Sequence, residues 1–261
     1  MIDRPPRATA RKVTQVLQRV AVFAAVLVVW QIVAWSGVVP RNLLPAPGEV
    51  LDTFVDLLLR RGLLGHVGAS VRRVIVGVVV GVALAVPVGF ALGWYPAVRR
   101  FFDPLINFMR ALPPIALAPL VVVYLGIGES ARVVVLVYAS FFAATVVTYE
   151  GISGLEPIYV RAARSLGANG REIFFRVVLP QSLPHILTAF RIALGVSWAT
   201  LVAAELVAAQ QGLGAMIQNA SNFFQIPVIF VGIIMIGVAA LLMDQVLRAS
   251  IARLVAWRET V

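Results

Sequence analysis

The chain is 261 residues long, 61% apolar and only 13% charged, with no cysteine and two histidines. A soluble domain of this size is about 45–50% apolar and about 25% charged, so the composition excludes an ordinary globular enzyme and indicates a membrane protein. The missing cysteines exclude disulfides, thiolate clusters and a cysteine nucleophile, His66 and His185 stand too far apart for a histidine metal motif, and the +10 formal charge bears first on membrane sidedness.

The chain opens on a basic tail, residues 1–19, carrying Arg4, Arg7, Arg11, Lys12 and Arg19. The uncharged run 20–39 follows. A membrane helix needs about 20 mostly apolar residues, and this run lacks a clear small-residue cleavage site, so it reads as a retained first span and not a removed signal peptide. Residues 40–73 form an extracytoplasmic loop, within which 47–61 has the pattern of an amphipathic helix. Val50, Leu51, Phe54, Val55 and Leu58 fall on one side and Glu49, Asp52 and Asp56 on another. Periodicity alone is compatible with a packing helix or a partner-binding one.

The second span, 74–98, repeats small residues at Gly77, Gly81, Ala85, Gly89 and Gly93, the spacing that lets another helix approach closely, and Pro87 predicts a kink. Close packing is the simpler reading of this stripe, and lining of a substrate path is the other. Runs 111–128 and 133–149 are separated by Glu129 and Arg132 and read as two helices joined by a tight turn. Run 186–209 is interrupted near its ends by Arg191 and Glu205, and run 226–243 is uncharged. The expected fold class is therefore an all-α membrane protein with six transmembrane helices. Residues 74–243 form its core of five spans, including the segment 150–184, and 244–261 form a C-terminal tail. The positive-inside bias puts both termini in the cytoplasm, leaving Arg41, Arg60, Arg61, Arg72, Arg73 and Arg132 outside. On this topology the basic charge is no argument for a nucleic-acid partner.

Segment 150–184 is polar enough to leave the membrane yet helical in pattern. Arg161, Ala162, Ala163, Arg164, Ser165 and Leu166 predict a short helix that Gly167 stops, and 170–178 predicts a second helix ending before Pro180. An Ala-Ala pair followed by Phe174 and Phe175 is unneeded in a solvated connection, so this knob suggests a partner surface.

No phosphate-binding loop, nucleophile elbow or zinc-protease motif occurs. Glu205 is an acid well inside an apolar segment, a functional hypothesis by default, and its alternative is a structural carboxylate bonded near the outer helix end. Trp198 and Thr200 precede it on the same helix and join it as candidates for a translocation path or gate. Arg191 could pair with a carboxylate, but snorkelling to the inner interface is the preferred expectation.

The string RAARSLGANGREIFFRVVLP, residues 161–180, resembles the cytoplasmic signature of permease subunits of ATP-binding cassette importers, Glu-Ala-Ala-x-x-x-Gly-x(9)-Ile-x-Leu-Pro. Ala162, Ala163, Gly167, Leu179 and Pro180 match at the right spacing, Val177 takes the Ile position, and Arg161 replaces the Glu, as in the sulfonate, taurine and nitrate branch. The likeness extends from Leu44 onward, through LLPAPGEV, LPPIALAPLVVVYLGIGE and FRIALGVSWATLVAAELVAAQQGLGAMI, and is nearest to the taurine and aliphatic-sulfonate permeases. Permeases for nitrate, bicarbonate and thiamine-precursor pyrimidines share much of the pattern.

The resemblance implies a type I importer permease in a bacterial inner membrane, non-catalytic, acting with a second copy of itself, two cytoplasmic ATPase subunits and an extracytoplasmic substrate-binding protein. ATP and magnesium would sit in the ATPase subunits and no cofactor in this chain. Arg161, Ala162, Ala163, Ser165, Leu166 and Gly167, with Leu179 and Pro180, would couple the spans to ATP hydrolysis. An ion-coupled secondary transporter using Glu205 is the competitor from another class; an inverted repeat would favour it, and none is evident.

Overall fold

The computed structural model describes residues 7–40, 42–206 and 209–254, so Arg4 of the basic tail and residues 255–261 of the C-terminal tail lie outside the described residues. The helices, in chain order, are α1 Arg7–Ser36, α2 Pro47–Arg60, α3 Leu63–Trp94, α4 Pro96–Ala111, α5 Pro114–Leu125, α6 Glu129–Ser153, α7 Pro157–Ser165, α8 Gly170–Ile173, α9 Leu179–Leu206, α10 Leu213–Asn222 and α11 Ile226–Leu254. They divide into two compact units, one holding α1, α2 and residues 219–231, the other the described residues of 63–218 and 232–254.

In the first unit Trp30 joins α1 to the start of α2. Its indole Nε1 donates to the Pro45 carbonyl at 3.0 Å, and its ring stacks on Phe230 at 5.3 Å. Pro47 opens α2, where its missing N–H costs nothing, and the amphipathic pattern is realised. The buried stripe is Val50 and Leu57, with Phe54 and Leu58 half-buried, while Leu51 (62%) and Val55 (43%) are exposed. Successive residues turn by about 100°, so the true stripe follows positions 50, 54 and 57, and Leu51 and Val55 fall on its flank.

The second unit is built on α3, α6 and α9, which contribute most of a core that includes Val78, Leu136, Ala193 and Leu201, with α5 and α11 adding Ala118 and Ala239. The glycine stripe of α3 is a packing surface. A Cβ at Gly77, Gly81, Gly89 or Gly93 would lie 2.5, 2.5, 2.6 or 2.7 Å from the Cβ of Leu136, Ser140, Thr148 or Ile152 of α6, so each glycine admits the α6 side chain opposite it. The hydroxyl of Ser140, the residue opposite Gly81, meets the Ser197 hydroxyl at 2.6 Å and ties α6 to α9 as well.

Several expectations about spans change. α3, α6, the continuous helix Gly170–Leu206 and α11 are each long and apolar enough to cross a membrane. Run 111–128 is not a single span. Leu112 takes an extended conformation ahead of Pro113 and Pro114, the helix breaks, and α4 meets α5 at 93°. With 12 residues, α5 reaches only about 18 Å, short of an apolar core about 30 Å thick, so α4 and α5 together make at most one broken span. Of α1, which is 30 residues long, the described apolar stretch is Ala21–Ser36. The tight turn before α6 is present, with Gly126 at φ +76°. α3 begins at Leu63, ahead of its uncharged run, and carries Arg72 and Arg73 as helical residues.

The helix after Asn169 does not end before Pro180. α8 passes through a π-helical turn, Phe174–Val178, and runs on into α9. In that turn the Leu179 N–H reaches the Phe174 carbonyl. The wider register lets the chain pass a residue that has no N–H and whose ring crowds the preceding turn.

Candidate functional site

Two side-chain constellations stand out in the second unit. They sit near the two ends of α3, about 25 Å apart along its axis from Arg73 to Phe90 at 1.5 Å per residue.

The first is the knob. Pro157 starts α7, and the helix ends in a Schellman motif, with the Gly167 N–H on the Arg164 carbonyl at 2.9 Å and the Ala168 N–H on the Ala163 carbonyl at 3.0 Å. Gly167 sits at φ +86°, a conformation glycine adopts without the Cβ penalty, and a side chain there would meet no other atom within 4 Å. Asn169 then caps α8: its side chain accepts from Glu172 N at 2.9 Å, and its own N–H donates to Glu172 Oε2 at 3.0 Å. One side of the knob is seated. Ala163, Ala168 and Phe174 pack with Leu179 on a cluster of Phe90, Ile152, Ile173 and Val178, so α7 and α8 rest on the ends of α3 and α6. The other side is bare, with Tyr159, Arg161, Ala162, Ser165 and Gly167 exposed and Leu166 88% exposed. Pro180 is exposed beside a cavity of about 500 Å³ that Glu156, Tyr159 and His185 also line.

The second is a polar clasp around Arg73, a residue 2% exposed. Its Nη1 donates to Glu205 Oε1 and to the Gln211 carbonyl, both at 2.6 Å, while Nε and Nη2 donate to the two oxygens of Glu129 at 2.8 and 2.5 Å. Glu205 also accepts from Ser70 Oγ and from Gly214 N, each at 2.7 Å. The Ser70 hydroxyl accepts in turn from Leu213 N at 2.8 Å, and His66 Nδ1 lies 3.2 Å from Gly212 N. Arg132 adds a bond to Glu129 at 2.9 Å. The strap 211–214 is thereby tied to α3 and α9. Gly212 lies at φ +139°, and a Cβ there would strike the Glu205 carboxylate, so the glycine leaves room for the acid.

These positions locate the candidate path residues. Trp198 is 4% exposed, its indole N–H has no hydrogen-bond partner among the described residues, and it lines a cavity of about 510 Å³ with Thr188, Arg191, Gly195 and Asp244. Thr200 is buried and does not line that cavity. Glu205 lies one face-repeat beyond Trp198, at i+7, inside the clasp; Thr200 projects from the opposite side of α9. Arg191 does not simply snorkel. Its Nε donates to Asp244 Oδ1 at 2.8 Å, and Asp244 also takes Arg248 at 2.7 Å. Among the described residues no group of three or more His, Asp or Glu is placed to hold a metal ion.

Sequence reasoning missed the clasp partners Arg73 and Glu129, which it treated as markers of sidedness and of a turn. A signal was present: Arg73 stands four residues before Gly77 and so continues the stripe that faces α6. An arginine extending a helix-packing stripe needs an acidic partner on the facing helix, and Glu129 and Arg132 lie one to two turns before Leu136.

The family described as binding-protein-dependent transport system inner membrane component matches residues 77–256. A probable ABC transporter permease protein of Brucella abortus is 46% identical over 230 residues, 88% of this chain and 91% of the relative. The taurine transport system permease protein TauC of Escherichia coli is 38% identical over 248 residues, 93% of this chain and 90% of that protein. Among solved structures, a chain of the MetNI methionine ABC transporter in an inward-facing conformation shares the fold, with a TM-score of 0.59 at 21% identity, covering 72% of this chain and 95% of that one.

Proposed function

Since the chain belongs to the family of inner membrane components of binding-protein-dependent transport systems, and is a permease subunit of an ABC importer, we propose that it forms the translocation path of an importer of taurine or a related sulfonate. In this reading two copies of the chain enclose the path, two cytoplasmic ATPase subunits drive it, and an extracytoplasmic binding protein delivers the cargo. ATP and magnesium belong to the ATPase subunits, and this chain performs no chemistry. The assembly sits in a bacterial inner membrane with the knob and both termini on the cytoplasmic side. Six crossings follow if α1 with its basic flank spans and if α4 and α5 complete the remaining crossing with a second copy beside them.

The observation that carries the coupling role is the two-sided knob. Its inner face is locked on α3 and α6, and its tip presents Leu166 to water at the end of a glycine-fixed turn. An apolar side chain on a rigid mount fits a cleft in a partner, and a push on it passes directly to two spanning helices. Arg161, Ala162, Ser165 and Gly167 lie on the docking side, whereas Ala163, Leu179 and the π turn serve the seat. At the other end the clasp leaves Glu205 with donors on both oxygens. That arrangement favours holding the outer helix ends together over carrying a coupling ion. Trp198, with its orphan N–H beside a cavity, is the better candidate for contact with an anionic cargo.

The test is ATP hydrolysis by the chain reconstituted in lipid with the ATPase and binding protein encoded beside it. Stimulation by the taurine-loaded binding protein supports the whole reading. Stimulation only by nitrate or another anion keeps the importer and removes the sulfonate assignment. Failure to associate with any ATPase removes the importer reading.

A further inference from the structure

A cavity of about 770 Å³ lies between the lower half of α3 and the knob, walled by Pro87, Phe90, Ala91 and Trp94 on one side and reached by Arg164 and Arg171 from the other. From its position we infer that this cavity binds an anionic phospholipid of the cytoplasmic leaflet, its phosphate held by the two arginines and its chain laid along α3. The inference rests on the proposed orientation, with the knob at the cytoplasmic face.

The apolar wall belongs to a helix long enough and apolar enough to cross the membrane, so it favours a ligand with an apolar chain. Trp94 ends that helix and Tyr95 follows it, exposed, both aromatic residues of the kind that mark the headgroup level. Arg164 and Arg171 are exposed, and neither has a carboxylate within ion-pair distance among the described residues. Arg171 Cζ lies 6.0 Å from the centroid of the Phe175 ring, and a guanidinium near an aromatic ring can still offer N–H donors to a phosphate. Guanidinium groups match phosphate oxygens in bidentate fashion, and the cytoplasmic leaflet is the anionic one. The ligand that is apolar along α3 and a phosphate monoanion at the knob is a lipid such as phosphatidylglycerol.

The experiment is native mass spectrometry of the full-length chain in detergent with phosphatidylglycerol or phosphatidylcholine added; it needs no ATPase subunit, so its failure is separable from failure of the importer reading. About thirtyfold tighter retention of phosphatidylglycerol is expected, from two arginines near the headgroup, falling to near parity in R164Q/R171Q. Ala91→Trp, which fills the apolar side and leaves both charges, should displace the lipid as well. Equal retention of the two lipids, an unchanged preference in R164Q/R171Q, or displacement of phosphatidylglycerol by equimolar inorganic phosphate would overturn the assignment. Loss of the lipid when ATPase subunits or a second copy bind would assign the cavity to that protein instead.

Discussion

Arg73 and Glu205 are both buried, and Arg73 is the one charged partner of Glu205 among the described residues while it also binds Glu129, which makes the pair costly to break from either side. Removing one partner of a buried ion pair strands a charge, at a cost of about 3–5 kcal/mol, while replacing both with apolar residues of similar size is often near neutral. Arg73→Met should therefore lower the melting temperature in detergent sharply, and Arg73→Met with Glu205→Leu should recover much of the loss. A double variant as unstable as the sum of the singles would contradict the clasp. The sequence marked Glu205 as unusual because an acid inside an apolar run stands out locally. Its partner stayed hidden because Arg73 is far away in the chain and looked like one more charge beside a span. Arg191 illustrates the same limit, since only the fold brings it to Asp244.

Among the elements, α3 and α6 were the most legible, because a small residue every fourth position means close approach whatever the partner. The facing side chains give that statement a sharp test. Gly81→Val forces a branched side chain against Ser140 and should cost about 1–3 kcal/mol, the usual penalty of overpacking. Gly195→Ala on α9, where an added Cβ meets nothing within 4 Å, should leave the melting temperature unchanged or raise it. A loss at Gly195 equal to that at Gly81 would mean that glycine content, not helix contact, sets stability. In α7 the constraint is conformational. Gly167→Val should strain the turn by roughly 1–2 kcal/mol and uncouple ATP hydrolysis from uptake, whereas Gly167→Asn, which tolerates the left-handed region, should stay coupled. Equal coupling in both variants would show that the turn does not shape the docking surface. The π turn and the α4–α5 break were not legible, for a common reason. Proline tells where a hydrogen bond is missing, but whether the chain ends, bends by 93° or widens its register depends on what packs around it.

For the whole molecule the composition gave the membrane class, and the 161–180 string gave the family, later matched over residues 77–256. Cargo is the least legible property, because it depends on a path enclosed by two copies and on a separate binding protein. Runs of apolar residues do not by themselves show spans: α5 is apolar yet only 12 residues long, and among the described residues four helices, or five with the bent pair, are long and apolar enough to cross. What the fold adds is a division of labour between the ends of α3: a clasp that fixes three helices at one end, and a seated knob at the other.

The absence of cysteine allows a direct test of that arrangement, because Leu166→Cys carries the chain's single thiol. The variant, co-expressed with the neighbouring ATPase, is treated with a short thiol-to-amine cross-linker, and the products are resolved by mass. The account predicts one adduct joining this chain to the ATPase subunit through position 166, weakened when Gly167→Val is added. An ATPase that co-purifies with the chain yet forms no adduct at position 166 would contradict it.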